Sequence, residues 1–316
     1  MMKIYLLTII IGFILEMLGA DILVKQNICF AKITKIPKVY IAMILCGMGS
    51  GLSYLIYTII RSLQKNNQMI PFHTSITAVL SGILLILGIC AMTGKIKIYR
   101  GVMQQDFSYL IFVEIILLYL SADYLFHGKH SMRILSGIDG VILFAFFVFY
   151  LYIIGKKTYR GIMNDENVKI DLTAILFCGL GIIITTAGGI MMLLSVDKIV
   201  IPGLLKKYAG KEFIKILIMI IPNIFISIWS IKNREPDLIL GNLLGYSMTC
   251  LTGAVGVAAM INPIVISVSG IYNMIILCCG SIMVWLFAYK DQQLNRFHGC
   301  VMGTVFVVYM VSMVMR

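Results

Sequence analysis

Residues 156–169 read KKTYRGIMNDENVK, the longest polar interval in a chain that is otherwise a succession of apolar runs. The interval falls at the midpoint of the 316 residues. A transmembrane helix needs ~20 mostly apolar residues to cross ~30 Å of hydrocarbon. Before the interval, runs of that size lie near 3–24, 39–62, 73–94, 107–126 and 135–155. After it they lie near 171–196, 211–231, 238–261, 264–289 and 298–315. An odd number of spans per half returns the chain to the opposite face, so a second copy of the unit sits upside down. The expected fold is therefore all-α and transmembrane, about ten helices arranged as two inverted five-helix repeats. The repeats cover 1–155 and 171–316, with 156–170 as a linker.

Composition supports a chain whose surface faces lipid. It is 60% hydrophobic and 13% charged, with mean hydropathy +0.98, whereas soluble domains carry roughly a quarter charged residues. The eight cysteines sit in or beside apolar runs, as small hydrophobes do, and do not form a disulfide framework. The first apolar run lacks a small-residue cleavage site and reads as helix one rather than a signal peptide. A net charge of +12 does not point to nucleic acid, because the basic residues are spread singly through the loops. The expected surroundings are the lipid bilayer and small cations, with no cofactor and no nucleic acid.

Orientation follows from the basic residues in short loops. Fifteen Lys and Arg fall after spans one, three, five, seven and nine, among them Lys25, Lys95, Lys156 and Lys232, against eleven on the other side. The bias places both termini outside the plasma (inner) membrane and the linker inside. Lys206 to Lys215 narrows the margin.

Around the end of helix seven and the start of helix eight the sequence is NREPDLILGNLLGYSMTC. Pro236 suits a first helical turn, and Glu235 and Asp237 complement the positive helix end. Asn242, Gly245, Tyr246 and Thr249 recur at i, i+3, i+4 and i+7 and share one face. Such a face lines a hydrated cavity or packs tightly on another helix, since small and polar residues also glue membrane helices together. Spacing alone leaves both open and favours packing.

EPDLILGNLLGYS resembles the second alpha-repeat of the cation/calcium exchanger superfamily, whose pattern is roughly P-E, fourteen residues, then G-N-x-x-G-S-N. Pro222-Asn223 stands at P-E, and Gly241-Asn242 falls at G-N without a gap. A fainter copy runs through the first half. Leu18 to Val24 (LGADILV) is similar to the opening helix, and Val39 to Leu55 overlays the helix that ends G-T-S-L-P-E-L. Gly82 to Gly88 (GILLILG) resembles N-I-L-L-V-L-G with an offset of one. The resemblance implies a secondary-active exchanger moving cations by alternating access, with helices two, three, seven and eight lining the site. It marks Ser50, Ser53, Tyr54, His73, Thr77, Asn223, Asn242, Ser247 and Thr249 as ion-binding candidates.

In that family each repeat contributes an acidic residue, and the two meet at mid-membrane. Here Tyr54 and Asn223 hold those positions, and Ile218 to Ile221 replaces the second glycine-threonine-serine turn. Calcium favours six to eight oxygens including carboxylates. Hydroxyls and amides alone suit a monovalent cation or a polar neutral solute, so ordinary calcium exchange is not expected.

Intramembrane ionisable residues are functional candidates by default. Glu114 is the deepest, while Glu16 and Asp21 read as interfacial if helix one ends near Lys25. Asp123, Asp139 and Asp197 fall near span ends.

No metalloprotease, nucleophile-elbow or phosphate-loop motif is present, and no enzyme is expected. The leading expectation is a sodium/calcium exchanger-like antiporter with altered ion selectivity. A second is a non-transporting, exchanger-like membrane subunit with an interaction or regulatory role, which the missing carboxylates favour. A ten-span drug/metabolite carrier shares the span count but has no reason to carry EPDLILGN at this spacing.

Overall fold

The computed structural model describes residues 2–64, 70–122, 134–163, 172–199 and 208–315. Asp123, Lys206 and residues 164–169 of the central polar interval lie outside them. Ten of the described helices are long and apolar enough to cross a bilayer. They are α1 (Lys3–Thr34), α2 (Lys38–Leu63), α3 (Phe72–Thr93), α4 (Val102–Ser121) and α5 (Gly137–Tyr159), then α6 (Thr173–Lys198), α7 (Ile214–Lys232), α8 (Asp237–Ile261), α9 (Val268–Asp291) and α10 (Arg296–Met313).

Several boundaries depart from the hydropathy reading: α5 runs on to Met163, into the expected linker, and two others shift because charges are paired. Helix α1 continues ten residues past Val24, to Thr34. Lys25 reaches back one turn to Asp21 at 2.6 Å, so neither charge ends the helix. At ~1.5 Å per residue, its 32 residues are longer than a bilayer core is thick. Glu16 therefore stands at the middle of a long helix, not at its end. Helix α4 begins at Val102 rather than 107, because Asp106 is buried against Lys157 of α5, 2.7 Å away.

The two halves bury matching helices to matching depth. The buried share is 33% for α1 and α6, 61% and 56% for α2 and α7, and 78% and 83% for α3 and α8. It is 44% for α4 and α9, and 28% for α5 and α10. Helices α2, α3, α7 and α8 thus form the core, and the others wrap it.

Two short antiparallel ribbons complete the symmetry. Strand β1 (Ile96–Lys97), between α3 and α4, pairs with β4 (Gln293–Leu294), between α9 and α10. Strand β2 (Ile134–Leu135), between α4 and α5, pairs with β3 (Ile264–Val265), between α8 and α9. Each ribbon joins the two halves, and the ribbons lie on opposite faces, as a two-fold axis within the membrane plane requires.

Glycines carry the same symmetry into the crossing of α1 and α6. A Cβ on Gly12 would lie 2.7 Å from the Gly188 carbonyl oxygen, and one on Gly19 would lie 3.2 Å from that of Gly181. Gly12 with Gly181, and Gly19 with Gly188, are each 169 positions apart. The same separation relates Tyr54 to Asn223 and His73 to Asn242.

Candidate functional site

Three core helices bring polar side chains to one point. The Ser50 hydroxyl of α2 lies 3.2 Å from Asn223 Oδ1 of α7 and 3.5 Å from Asn242 Oδ1 of α8. It lies 3.1 Å from the Gly47 carbonyl of its own helix. Asn242 Nδ2 donates to Asn223 Oδ1 at 2.8 Å. All three side chains are buried. A hydroxyl has one proton to give, yet Ser50 faces three acceptor oxygens. Oxygen lone pairs outnumber donors here, and that excess suits a cation. Asn223 Nδ2 is buried without a hydrogen-bond partner.

Local sequence explains how the helices come this close. Gly47 of α2 faces the backbone of α8, and a Cβ there would lie 2.5 Å from the Asn242 carbonyl oxygen and 2.7 Å from Gly245 Cα. From the other side, a Cβ on Gly241 or Gly245 would overlap the carbonyls of Val39 and Met43. Gly241 and Gly245 are a small-xxx-small pair, the spacing that lets membrane helices meet backbone to backbone. Immediately before Ser50, α2 takes a π turn over Met43–Met48, a feature frequent at functional sites. In α7, Pro222 removes the N–H that would pair with the Ile218 carbonyl. Tyr246 donates to the next carbonyl, that of Met219, at 3.3 Å.

The remaining candidates take different places. On α2, Ser53 donates to the Ser50 carbonyl at 3.0 Å, and the Tyr54 hydroxyl accepts from Ser75 of α3 at 3.1 Å. Thr249 packs its methyl on Gly51 of α2, and its hydroxyl bonds the Gly245 carbonyl at 2.9 Å. Ser247 bonds within α8, to the Leu243 carbonyl at 2.7 Å. His73 and Thr77 do not join the cluster. His73 Nε2 meets Asn273 Nδ2 of α9 at 2.9 Å, and Thr77 meets the Tyr309 hydroxyl of α10 at 3.3 Å.

Of the acids, Glu114 belongs to the α4–α9 seam, where Ser281 donates to it at 2.8 Å. Glu16 lies on α1 beside the core. Its Oε1 and the Ser53 hydroxyl stand 2.8 and 2.7 Å from the point a Cβ on Gly189 of α6 would occupy. Among the described residues, no three His, Cys, Asp or Glu side chains converge as a metal cage.

Ion pairs close both ends of this core. Where α2 ends, Asp197 of α6 is gripped by Arg61 at 3.1 Å, by Lys215 of α7 at 2.9 Å and by the Tyr57 hydroxyl at 2.9 Å. Tyr57 stacks on Tyr54, ring centroids 6.2 Å apart, which links this cluster to the polar centre. Where α2 begins, Lys38 pairs with Glu235 just before α8. Sequence reasoning missed Ser75, Tyr57 and the Gly47 carbonyl. Ser75 carries a readable signal only as a hydroxyl within a span, since Thr77, two positions on, lies on a different face of the helix. A backbone oxygen carries none.

The chain belongs to the sodium/calcium exchanger family, whose pattern matches residues 4–156 and again 172–315. It is a multi-pass membrane cation antiporter of that family and not an enzyme. It is 23% identical over 272 residues to the inner membrane protein YrbG of Escherichia coli (strain K12), covering 81% of this chain and 79% of the relative. Its fold is that of the sodium-calcium exchanger NCX_Mj. Superposed on a crystal of that protein soaked with Na+ and Sr2+, it gives a TM-score of 0.79 at 18% identity, covering 99% of both chains. A crystal soaked with Na+ and no Ca2+ also gives 0.79, at 19% identity and the same coverage.

Proposed function

We propose that this antiporter exchanges small monovalent cations by alternating access, at the oxygens of Gly47, Ser50, Asn223 and Asn242. The carrying observation is that acceptor-rich cluster, which faces one hydroxyl proton at mid-bundle and contains no carboxylate. The cost of bringing an ion out of water rises with the square of its charge and is already of order 20 kcal/mol for one unit charge in a dry interior. Neutral oxygens balance that cost for Na+ or K+ far better than for Ca2+, which favours carboxylates. By the resemblance, Tyr54 and Asn223 stand at the family's two acidic positions, and neither side chain brings a carboxylate.

The direct test is transport by purified protein in liposomes. An outward Na+ gradient should drive little Ca2+ uptake, while labelled Na+ or Rb+ inside should exchange for unlabelled ion outside. Robust sodium-driven calcium uptake sinks the reading.

The same reading takes 1–155 and 171–316 as the two repeats and 156–170 as a cytoplasmic linker, supported by family matches on either side of it. The membrane is then an inner membrane, a reading supported by the name of the Escherichia coli relative, and both termini lie outside it, a reading supported by the basic-residue bias alone. Tags at Met1 and Arg316 should react only with impermeant reagents outside the cell. Termini found on the same side as the linker overturn the arrangement.

A further inference from the structure

The geometry points to Glu16 as the charged ligand of the central site, exchanging one monovalent cation for one proton at its own carboxyl. The inference rests on reading the Ser50–Asn223–Asn242 cluster as the transport site and names what that site exchanges.

Position comes first. Glu16 is 1% exposed at the middle of α1, and its Oε2 has no hydrogen-bond partner. A buried carboxyl with an unpartnered oxygen is costly in a membrane and marks an ion or proton path by default. Continuity comes second. Glu16 and Ser53 both border the space beside Gly189, Ser53 bonds the Ser50 carbonyl, and Ser50 faces both asparagines. Glycine at 189 is what leaves room, because a Cβ there would overlap both side chains.

Symmetry comes third. The counterpart of Glu16 in the second half, 169 positions on, is Thr185 of α6. Its hydroxyl is used up on the Gly181 carbonyl at 2.7 Å. The acid is present in one repeat only, so the site holds one ionisable carboxyl and not two.

One carboxylate balances one unit charge. With a monovalent ion bound, the carboxylate and the cation sum to zero. With the ion gone, a proton on the same oxygen restores zero. Either loaded state crosses the low-dielectric core neutral, whereas the empty carboxylate does not. The cycle is one cation out for one proton in, with no other charge required.

The surroundings leave the titration to this group. Tyr246 of α8 is a titratable neighbour that interacts electrostatically with Glu16. Helix α6 presents Gly188 and Gly189 to it, and Thr185 beside Gly19. Helix α2 presents Ser53, and α7 presents Phe225 one turn away, against Phe13. The charged Asp197 and Lys215 pair near the level of Ser195, which bonds Thr8 at 2.7 Å. That is two turns of α1 from Glu16. On its own helix, Asp21 is engaged by Lys25.

The experiment uses full-length protein in liposomes loaded with a pH-sensitive dye. An outward Na+ or K+ gradient should acidify the lumen in wild type, and Glu16→Gln should cut that signal by about tenfold or more. Glu16→Asp should recover part of it. Tracer self-exchange of Na+ or Rb+, which needs no proton, separates the two ideas. Self-exchange without acidification overturns the role of Glu16 and leaves the monovalent site standing. Absence of both overturns both.

A carbodiimide reaction on wild type needs no variant to fold. It should label Glu16, and Na+ or K+ should slow that labelling by about tenfold while leaving Glu114 unaffected. Cation-independent labelling of Glu16 overturns the proposal.

Discussion

Gly245→Ala is expected to abolish recovery of folded protein, although it adds a single methyl group. The new Cβ would overlap the Met43 carbonyl oxygen and come within 3.0 Å of Met43 Cα. These are backbone atoms of α2, in the π turn that leads into Ser50. A flexible side chain moves aside, but a helix backbone locked against its neighbour does not. Overpacking a tight core costs ~1–3 kcal/mol, and here the strain falls on the seam that positions the site. Gly155→Ala and Gly179→Ala are the controls, since a Cβ at either position meets nothing within 4 Å. Alanine there should be neutral or stabilising by up to ~1 kcal/mol, through helix propensity. Size-exclusion profiles and melting in mild detergent check all three. If Gly245→Ala melts with the controls, α2 and α8 do not meet backbone to backbone.

Why some of this was readable and some was not comes down to which interactions are local. Ten spans are legible because burial in lipid demands length and hydropathy, both of which are properties of consecutive residues. The end of α1 was misplaced because Asp21 and Lys25 look like a boundary one at a time and neutralise each other as a pair. The start of α4 was misplaced because the partner of Asp106 is Lys157, which lies 51 positions away. Asn242 was legible through its glycine and proline neighbours. His73, its counterpart by repeat, turns instead to Asn273, and Ser75 reaches Tyr54. One half of the site therefore does not predict the other. The two repeats share the glycines of the α1–α6 crossing, whereas Gly47, Gly241 and Gly245 of the α2–α8 crossing have Ile216, Phe72 and Ile76 as their counterparts 169 positions away.

Asn242→Ala should reduce cation exchange by about a hundredfold while barely changing stability. The side chain supplies one of the four clustered oxygens and donates to another, Asn223 Oδ1, at 2.8 Å. Losing a ligand to a charged species costs ~1.5–3 kcal/mol per hydrogen-bond-like contact, and here both the oxygen and the orientation of Asn223 go at once. Stability should fall little, because interhelical polar contacts in membranes average well under ~2 kcal/mol. Asn242→Asp keeps the shape and brings a carboxylate to Ser50 and Asn223, so it should shift binding toward divalent ions. The measurement is a melting panel with Na+, K+, Ca2+, Mg2+ and Mn2+ on wild type and both variants. Monovalent ions should stabilise wild type, no ion should stabilise the alanine variant, and calcium should stabilise the aspartate variant. If no ion raises the melting point of wild type and alanine changes nothing, the three polar side chains are a packing seam. The family scaffold would then be carrying its cations somewhere else.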